Sequence, residues 1–115
     1  MKVVFIAAPM WAETAEERAE NLYIAKAWVI WAFEQGYAPE CSWITMVSII
    51  EETPNNRTRG LVIDNKLIER CDEFWLVGSH ISHGMVQGRD HCKIANIPVV
   101  DLTMPNKWPP GHPKT

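Results

Sequence analysis

Four short apolar runs alternate along this chain with segments of helical character, and this alternation restricts the fold more than any other feature. The runs lie at residues 2–8, 37–41, 73–78 and 97–101. Most of these runs lack the alternation of polar and apolar residues that is typical of a half-exposed strand. We therefore expect them to form buried strands of a parallel sheet. The pattern predicts a doubly wound α/β fold, Rossmann-like or flavodoxin-like, with four to five mostly parallel strands flanked by helices.

Helices are predicted between the strands. Thr14 and Glu17 have the spacing of a capping box, and Gly36 is a natural stop for the helix that follows them. Further helices are predicted over residues 44–51, 58–70 and 85–95, with a polar loop at residues 52–56.

Length and composition indicate one ordinary globular domain. The chain has 115 residues, 47% hydrophobic and 22% charged, with a net charge of −3. This charge gives no general attraction to a nucleic acid polymer or to an anionic membrane. Residues 1–101 form the predicted domain, and residues 102–115, with four prolines, are predicted to be a proline-rich C-terminal arm. We see no signal peptide and expect a cytoplasmic protein.

The three cysteines are odd in number and widely spaced, which favours buried thiols in a reducing compartment. No Cys and His spacing matches a metal motif, so we predict neither a metal nor a cofactor.

Six tryptophans in so short a chain suggest flat ligands or a partner surface. Trp28, Trp31 and Trp108 are more than a small domain easily covers, so we predict a homo-oligomer in which they pack against a second copy.

Two loops follow the first and third strands, where ligands bind in open parallel sheets. The first contains Pro9, Met10 and Trp11, and its indole either stacks on a flat ring or covers the entrance to the helix. The second contains Ser82 and precedes a helix, whose first amides favour an anion such as phosphate. The alternative there is a plain N-cap serine.

Asp64 lies within a predicted helix. A carboxylate at this position either orients a sugar hydroxyl or transfers a proton, or it is a solvated surface charge.

The segment from Ile63 to Gly84, together with FIAAPM near the start, resembles the nucleoside 2-deoxyribosyltransferase superfamily. Asp64 and Asp72 match its D-x7-D pair, Ser82-x-Gly84 its S/D-x-G element, and residues 97–99 its last strand. The resemblance covers about residues 3–101. It implies retaining chemistry at an N-glycosidic bond, with a glutamate as nucleophile and Asp64 assisting. Serine in the S/D-x-G element implies the branch that hydrolyses nucleoside 5′-monophosphates, in which that serine helps to bind phosphate.

The chain departs from this pattern at the nucleophile, because the expected glutamate position is Gly88. We expect the glycine to enlarge the pocket and remove a negative charge. Asp90 is the nearest substitute, although it lies about 200° around the helix from Gly88. The predicted ligand-binding residues are Pro9, Met10, Trp11, Ser82, His83, Gly84, Met85 and Gly88, with Asp64 and Asp90 as tentative catalytic residues.

Three functions are compatible with these residues. The first is a nucleoside-binding or nucleotide-binding relative of the deoxyribosyltransferases with lost or altered N-glycosidic chemistry. The second is an active nucleoside 5′-monophosphate N-glycosidase or deoxyribosyltransferase that uses Asp64 and Asp90, or a residue of a neighbouring subunit. The third is a non-catalytic protein-interaction module.

Overall fold

The computed structural model describes residues 1–47 and 49–115 and has the predicted alternation of strands and helices. Its elements, in chain order, are β1 (Val3–Ala7), α1 (Ala15–Glu34), β2 (Ala38–Glu40), α2 (Ser42–Val47), α3 (Pro54–Ile68), β3 (Glu73–Leu76), α4 (His83–Ala95) and β4 (Val99–Asp101). The predicted α/β class is confirmed. The predicted helix over residues 44–51 corresponds to α2, and its position 48 lies outside the described residues.

The sheet is parallel throughout and has the order β2-β1-β3-β4. The chain steps from β1 to β2 in one direction and then crosses back to place β3 on the other side of β1. The strand order therefore reverses between β1 and β3, and this switch point is where a doubly wound sheet leaves a crevice at its carboxyl ends.

Two apolar cores cover the two faces of the sheet, which explains why the strands read as continuous apolar runs. Val4 and Ile6 face the core that α1 covers, whereas Phe5 and Ala7 face the core that contains Ile68 of α3 and residues of α4. Since alternate side chains of a strand point to opposite faces, neither set tolerates polar residues.

The first predicted helix is confirmed at both ends. The Thr14 hydroxyl oxygen accepts a hydrogen bond from the backbone N–H of Glu17 at 3.1 Å. Gly36 follows the helix with a φ of +90°, a conformation that few other residues adopt readily.

The starts of the next two long helices were predicted too late. α3 begins at Pro54 rather than residue 58, because Thr53 caps it by accepting from the backbone N–H of Asn56 at 3.1 Å. Proline suits the first helical position, where no intrahelical bond is lost, so a segment read as a loop is the first turn of a helix. α4 begins at His83 rather than residue 85, with Ser82 as its N-cap.

The prediction of an extended C-terminal arm is wrong. Residues 102–115 fold back on α1 through a series of turns, and Trp108 is buried in the core on that side of the sheet. The backbone carbonyl of Lys107 accepts a hydrogen bond from Nε1 of Trp28 at 2.8 Å. The side-chain ammonium of Lys107 forms an ion pair with Glu20 at 2.7 Å. The segment is therefore part of the domain.

The tryptophans expected to require a second copy are largely covered within one chain. Trp28 is 2% exposed and Trp108 is 5% exposed. Trp31 is partly buried and meets Trp28 edge-on, with ring centroids 5.6 Å apart. The expectation that these rings pack on a partner was wrong because it took residues 102–115 to be detached, and the homo-oligomer stays a prediction.

The prediction of buried thiols is confirmed for two of the three cysteines. Cys71 and Cys92 are buried, Cys41 is partly buried, and all three are free. Burial raises the pKa of Cys41 to about 12 and of Cys71 and Cys92 to about 11. In the part of the chain that the structure describes, no helix is long and apolar enough to cross a membrane.

Candidate functional site

A cavity of about 440 Å³ opens at the carboxyl ends of β1 and β3, beside the switch point of the sheet. Its walls come from β1 and the loop after it, from β3, and from α2, α3 and α4. Parallel topology accounts for this assembly. Each crossover helix starts near the carboxyl edge of the sheet, so the loop after β1 and the first turns of α3 and α4 meet there.

Most of the predicted site residues line this cavity. Met10 and Trp11 contribute from the loop after β1, and Asp64 contributes from α3. Residues 82–85, which comprise Ser82, His83, Gly84 and Met85, contribute from the start of α4, and Gly88 lies one turn further along. Side chains predicted from three separate parts of the sequence thus share one concave surface.

Two predicted residues are not brought to the cavity. Pro9 is buried behind it and packs on Gly78, where an added Cβ would lie only 2.7 Å from Cδ of the proline ring. Asp90 is exposed on α4 and is not among the lining residues. Helix geometry explains this position. Asp90 comes two residues after Gly88, so its side chain points to a different side of α4.

Ser82 is both a capping residue and a cavity residue. It is the N-cap of α4, and its hydroxyl oxygen accepts from the backbone N–H of Met85 at 3.4 Å. It also lies in the cavity wall, next to the first-turn amides of His83 and Gly84. Helix geometry leaves those amides without an intrahelical partner, so this wall attracts negative charge.

Asp64 is a half-buried cavity residue rather than a solvated surface charge. Its carboxylate accepts a hydrogen bond from the hydroxyl of Ser42, the first residue of α2. Burial raises the pKa of Asp64 and the charge of Glu40 raises it further, while the hydrogen bond from Ser42 opposes both. This carboxyl group holds a proton at higher pH than usual, and it is placed either to bind a ligand hydroxyl or to donate a proton.

Gly88 does not enlarge the pocket as expected. A Cβ built at this position would lie 2.8 Å from Cζ and 3.0 Å from Cε2 of Phe74, and 3.4 Å from Cδ1 of Ile68. The phenyl ring of Phe74 therefore fills the space beside the glycine. A larger side chain at position 88 requires this buried ring to move.

Arg57 is a cavity residue that sequence reasoning missed. It lies in the second turn of α3, and its guanidinium carbon is 5.3 Å from the ring centroid of Trp11. Arg18 of α1 lies at the same distance from that ring. Recognising Thr53 and Pro54 as the start of α3 would have placed Arg57 near the carboxyl edge of the sheet.

Trp43 of α2 is a second residue that the sequence left unassigned. It lines the cavity and also an adjoining groove of about 480 Å³ against α1. Its Nε1 is buried and has no hydrogen-bond partner among residues 1–47 and 49–115. Nothing in the sequence around it predicts this position.

The small number of carboxyl groups in the cavity wall limits the chemistry that the cavity can perform. Among the described residues that line it, Asp64 is the one carboxylic acid and Arg57 the one permanently charged cation. Retaining cleavage of a glycosidic bond generally uses two carboxyl groups about 5 Å apart. No group of three or more His, Cys, Asp or Glu residues able to hold a metal ion is found in the described part of the chain.

Comparisons with known proteins place the chain in a family without assigning a role. No curated protein and no solved structure matches the chain. A family model described as a domain of unknown function, DUF7768, matches residues 2–102, which is most of the chain. By that match, the chain belongs to the DUF7768 family.

Proposed function

We propose that this protein binds a nucleoside or nucleotide in the cavity at the switch point, as a relative of the deoxyribosyltransferases with lost or altered N-glycosidic chemistry. The observation that carries the proposal is the convergence of Asp64, Ser82 and Trp11 on one cavity. A nucleotide offers one chemical partner to each: sugar hydroxyls, a phosphate and a flat base.

The phosphate position is supported by the start of α4. The Ser82 hydroxyl and the free first-turn amides present donors and a positive helix end to an anion. The sugar position is supported by Asp64, whose hydrogen bond from Ser42 fixes the carboxylate within the cavity wall.

Loss of cleavage is supported by the surroundings of Gly88. The glutamate of the deoxyribosyltransferase pattern is absent from this position, and the ring of Phe74 occupies the neighbouring space. Asp90 lies outside the cavity, so it does not replace the glutamate. Asp64 alone supplies an acid without a nucleophile, which favours holding the ligand over transferring its sugar.

Calorimetry with nucleosides and nucleoside 5′-monophosphates tests this proposal. We expect saturable binding, weaker for nucleosides than for monophosphates, and no free base on prolonged incubation. Ser82→Asp keeps an N-cap side chain but adds a negative charge, so it should weaken monophosphate binding by at least about tenfold. Ser82→Asn keeps the cap without the charge and should weaken it much less.

Thr14→Ala is the control for general loss of stability, because Thr14 caps α1 and does not line the cavity. It should lower stability without changing affinity for the ligand. Binding of no nucleoside or nucleotide would leave the protein-interaction module as the better function. Release of free base that is lost in Asp64→Asn would establish an active N-glycosidase.

We further propose that the protein works in the cytoplasm as a homo-oligomer. Its three unpaired thiols suit a reducing compartment. Ile30 and Phe33 on α1 are 58% and 71% exposed, and a second copy would cover them. A monomeric mass by light scattering at micromolar concentration would contradict the oligomer.

A further inference from the structure

Arg57 is held at the cavity by an interaction that a ligand can replace. Its Nε donates a hydrogen bond to Oε1 of Glu52 at 2.8 Å, and its Nη2 lies 2.7 Å from the same oxygen. The two side chains are 47% and 44% exposed. An ion pair this exposed contributes about 0–1 kcal/mol, so its exchange for another anion costs little.

A phosphate group is a better partner for this guanidinium than the carboxylate it now has. Two donors directed at one oxygen leave the planar fork without the paired acceptors that it fits best. A phosphate offers two or more oxygens to the fork and carries more negative charge than Glu52.

The cavity therefore has two separate features that attract anions. One is the start of α4 with Ser82, and the other is Arg57 on α3. One terminal phosphate satisfies the first and leaves Arg57 with Glu52. A ligand with two linked phosphates supplies an anion to each feature.

We propose that the ligand class is a nucleotide with two linked phosphates, a nucleoside diphosphate or a pyrophosphate-linked dinucleotide, and that Arg57 binds its second phosphate in place of Glu52. This inference rests on the proposed function, since it assumes that a nucleotide occupies the cavity. Glu52 then acts as an internal competitor for Arg57, which the second phosphate displaces.

The test compares adenosine, adenosine 5′-monophosphate and adenosine 5′-diphosphate with the matching thymidine series, by calorimetry on the full chain. In the unmodified protein we expect the diphosphate to bind about tenfold more tightly than the monophosphate. Arg57→Gln should bring this ratio to about one by weakening the binding of the diphosphate. Glu52→Gln should strengthen diphosphate binding about twofold to fivefold by removing the competitor.

Arg59→Gln is the matched control, because Arg59 is exposed on the same helix and is not a cavity residue. It makes the same change in charge and should leave the ratio unchanged. If Arg57→Gln does not fold, Arg57→Lys keeps the charge without the fork and should reduce the ratio in part.

The outcomes separate the two proposals. Failure of every compound to bind overturns the proposed nucleotide function. Monophosphate binding with an equal affinity for diphosphate overturns only the inference about Arg57. The same holds if Arg57→Gln weakens both ligands equally, or if Glu52→Gln leaves diphosphate binding unchanged.

Discussion

The ring of Phe74 lies against Gly88, so close that a Cβ on the glycine would stand 2.8 Å from Cζ of the ring. Phe74 of β3 stacks on Phe5 of the neighbouring strand β1, with ring centroids 5.5 Å apart. The glycine thus belongs to a packed layer between β1, β3 and α4. At Gly88, therefore, even a methyl group requires the buried ring of Phe74 to move.

Gly88→Ala should destabilise the protein, although alanine is the better helix former. The clash with a buried ring costs about 1–3 kcal/mol, against about 1 kcal/mol gained from helix propensity. We expect a net loss of up to about 2 kcal/mol in urea unfolding. Gly60→Ala in α3 is the control, because a Cβ there meets nothing within 4 Å. It should stabilise by up to about 1 kcal/mol, and equal effects of the two changes would contradict the packing argument.

Asp64 should make the protein less stable as the pH rises. Its pKa is raised in the folded state above the ordinary value of 3.8, chiefly by burial. Below 3.8 the group is neutral in both states and carries no cost. As the pH rises through the folded-state pKa, the buried carboxyl ionises against its surroundings and stability is lost.

Asp64→Asn removes this titration and keeps an oxygen that accepts from Ser42. Its melting temperature should exceed that of the unmodified protein at pH 7, and the difference should disappear as the pH falls below 3.8. Glu13→Gln, on an exposed side chain in the loop after β1, is the control. A gain for Asp64→Asn that is the same at every pH would rule out titration as its cause.

Trp108 should stabilise the domain as a core residue. It is 5% exposed, and truncation of a buried tryptophan costs about 3–5 kcal/mol. We therefore expect Trp108→Ala to lower the free energy of unfolding by that amount. Met104→Ala is the comparison in the same segment, because Met104 is 80% exposed and should matter little. A detached arm would instead give the same small effect at both positions.

Trp43→Phe should cost little stability or increase it. The change removes a buried Nε1–H that has no partner in the described part of the chain, and an unsatisfied buried donor carries a penalty of about 1–3 kcal/mol. Trp28→Phe is the contrasting variant, since Nε1 of Trp28 donates to the carbonyl of Lys107 at 2.8 Å. Chemical denaturation should rank Trp43→Phe above Trp28→Phe, and the reverse order would show that the Trp43 indole nitrogen is satisfied in solution.

The sequence by itself determined the architecture and most of the site. Apolar runs buried on both faces require a parallel sheet covered on both sides, and the chain order of strands and helices then places the loops after β1 and β3 at one edge. From this rule alone, Trp11 and Ser82 could be predicted to lie near each other. Local capping patterns were sufficient for α1, where Thr14 and Gly36 carry an unambiguous signal.

Only the tertiary structure decided how the side chains meet. Whether Gly88 leaves a space depends on Phe74, a residue fourteen positions away on another element, and no local pattern encodes that contact. The pairing of Arg57 with Glu52, and the return of Trp108 to the core, likewise depend on how the helices and the C-terminal segment pack. Periodicity and capping act over a few neighbouring residues, whereas the cavity is shaped by contacts between elements distant in the chain.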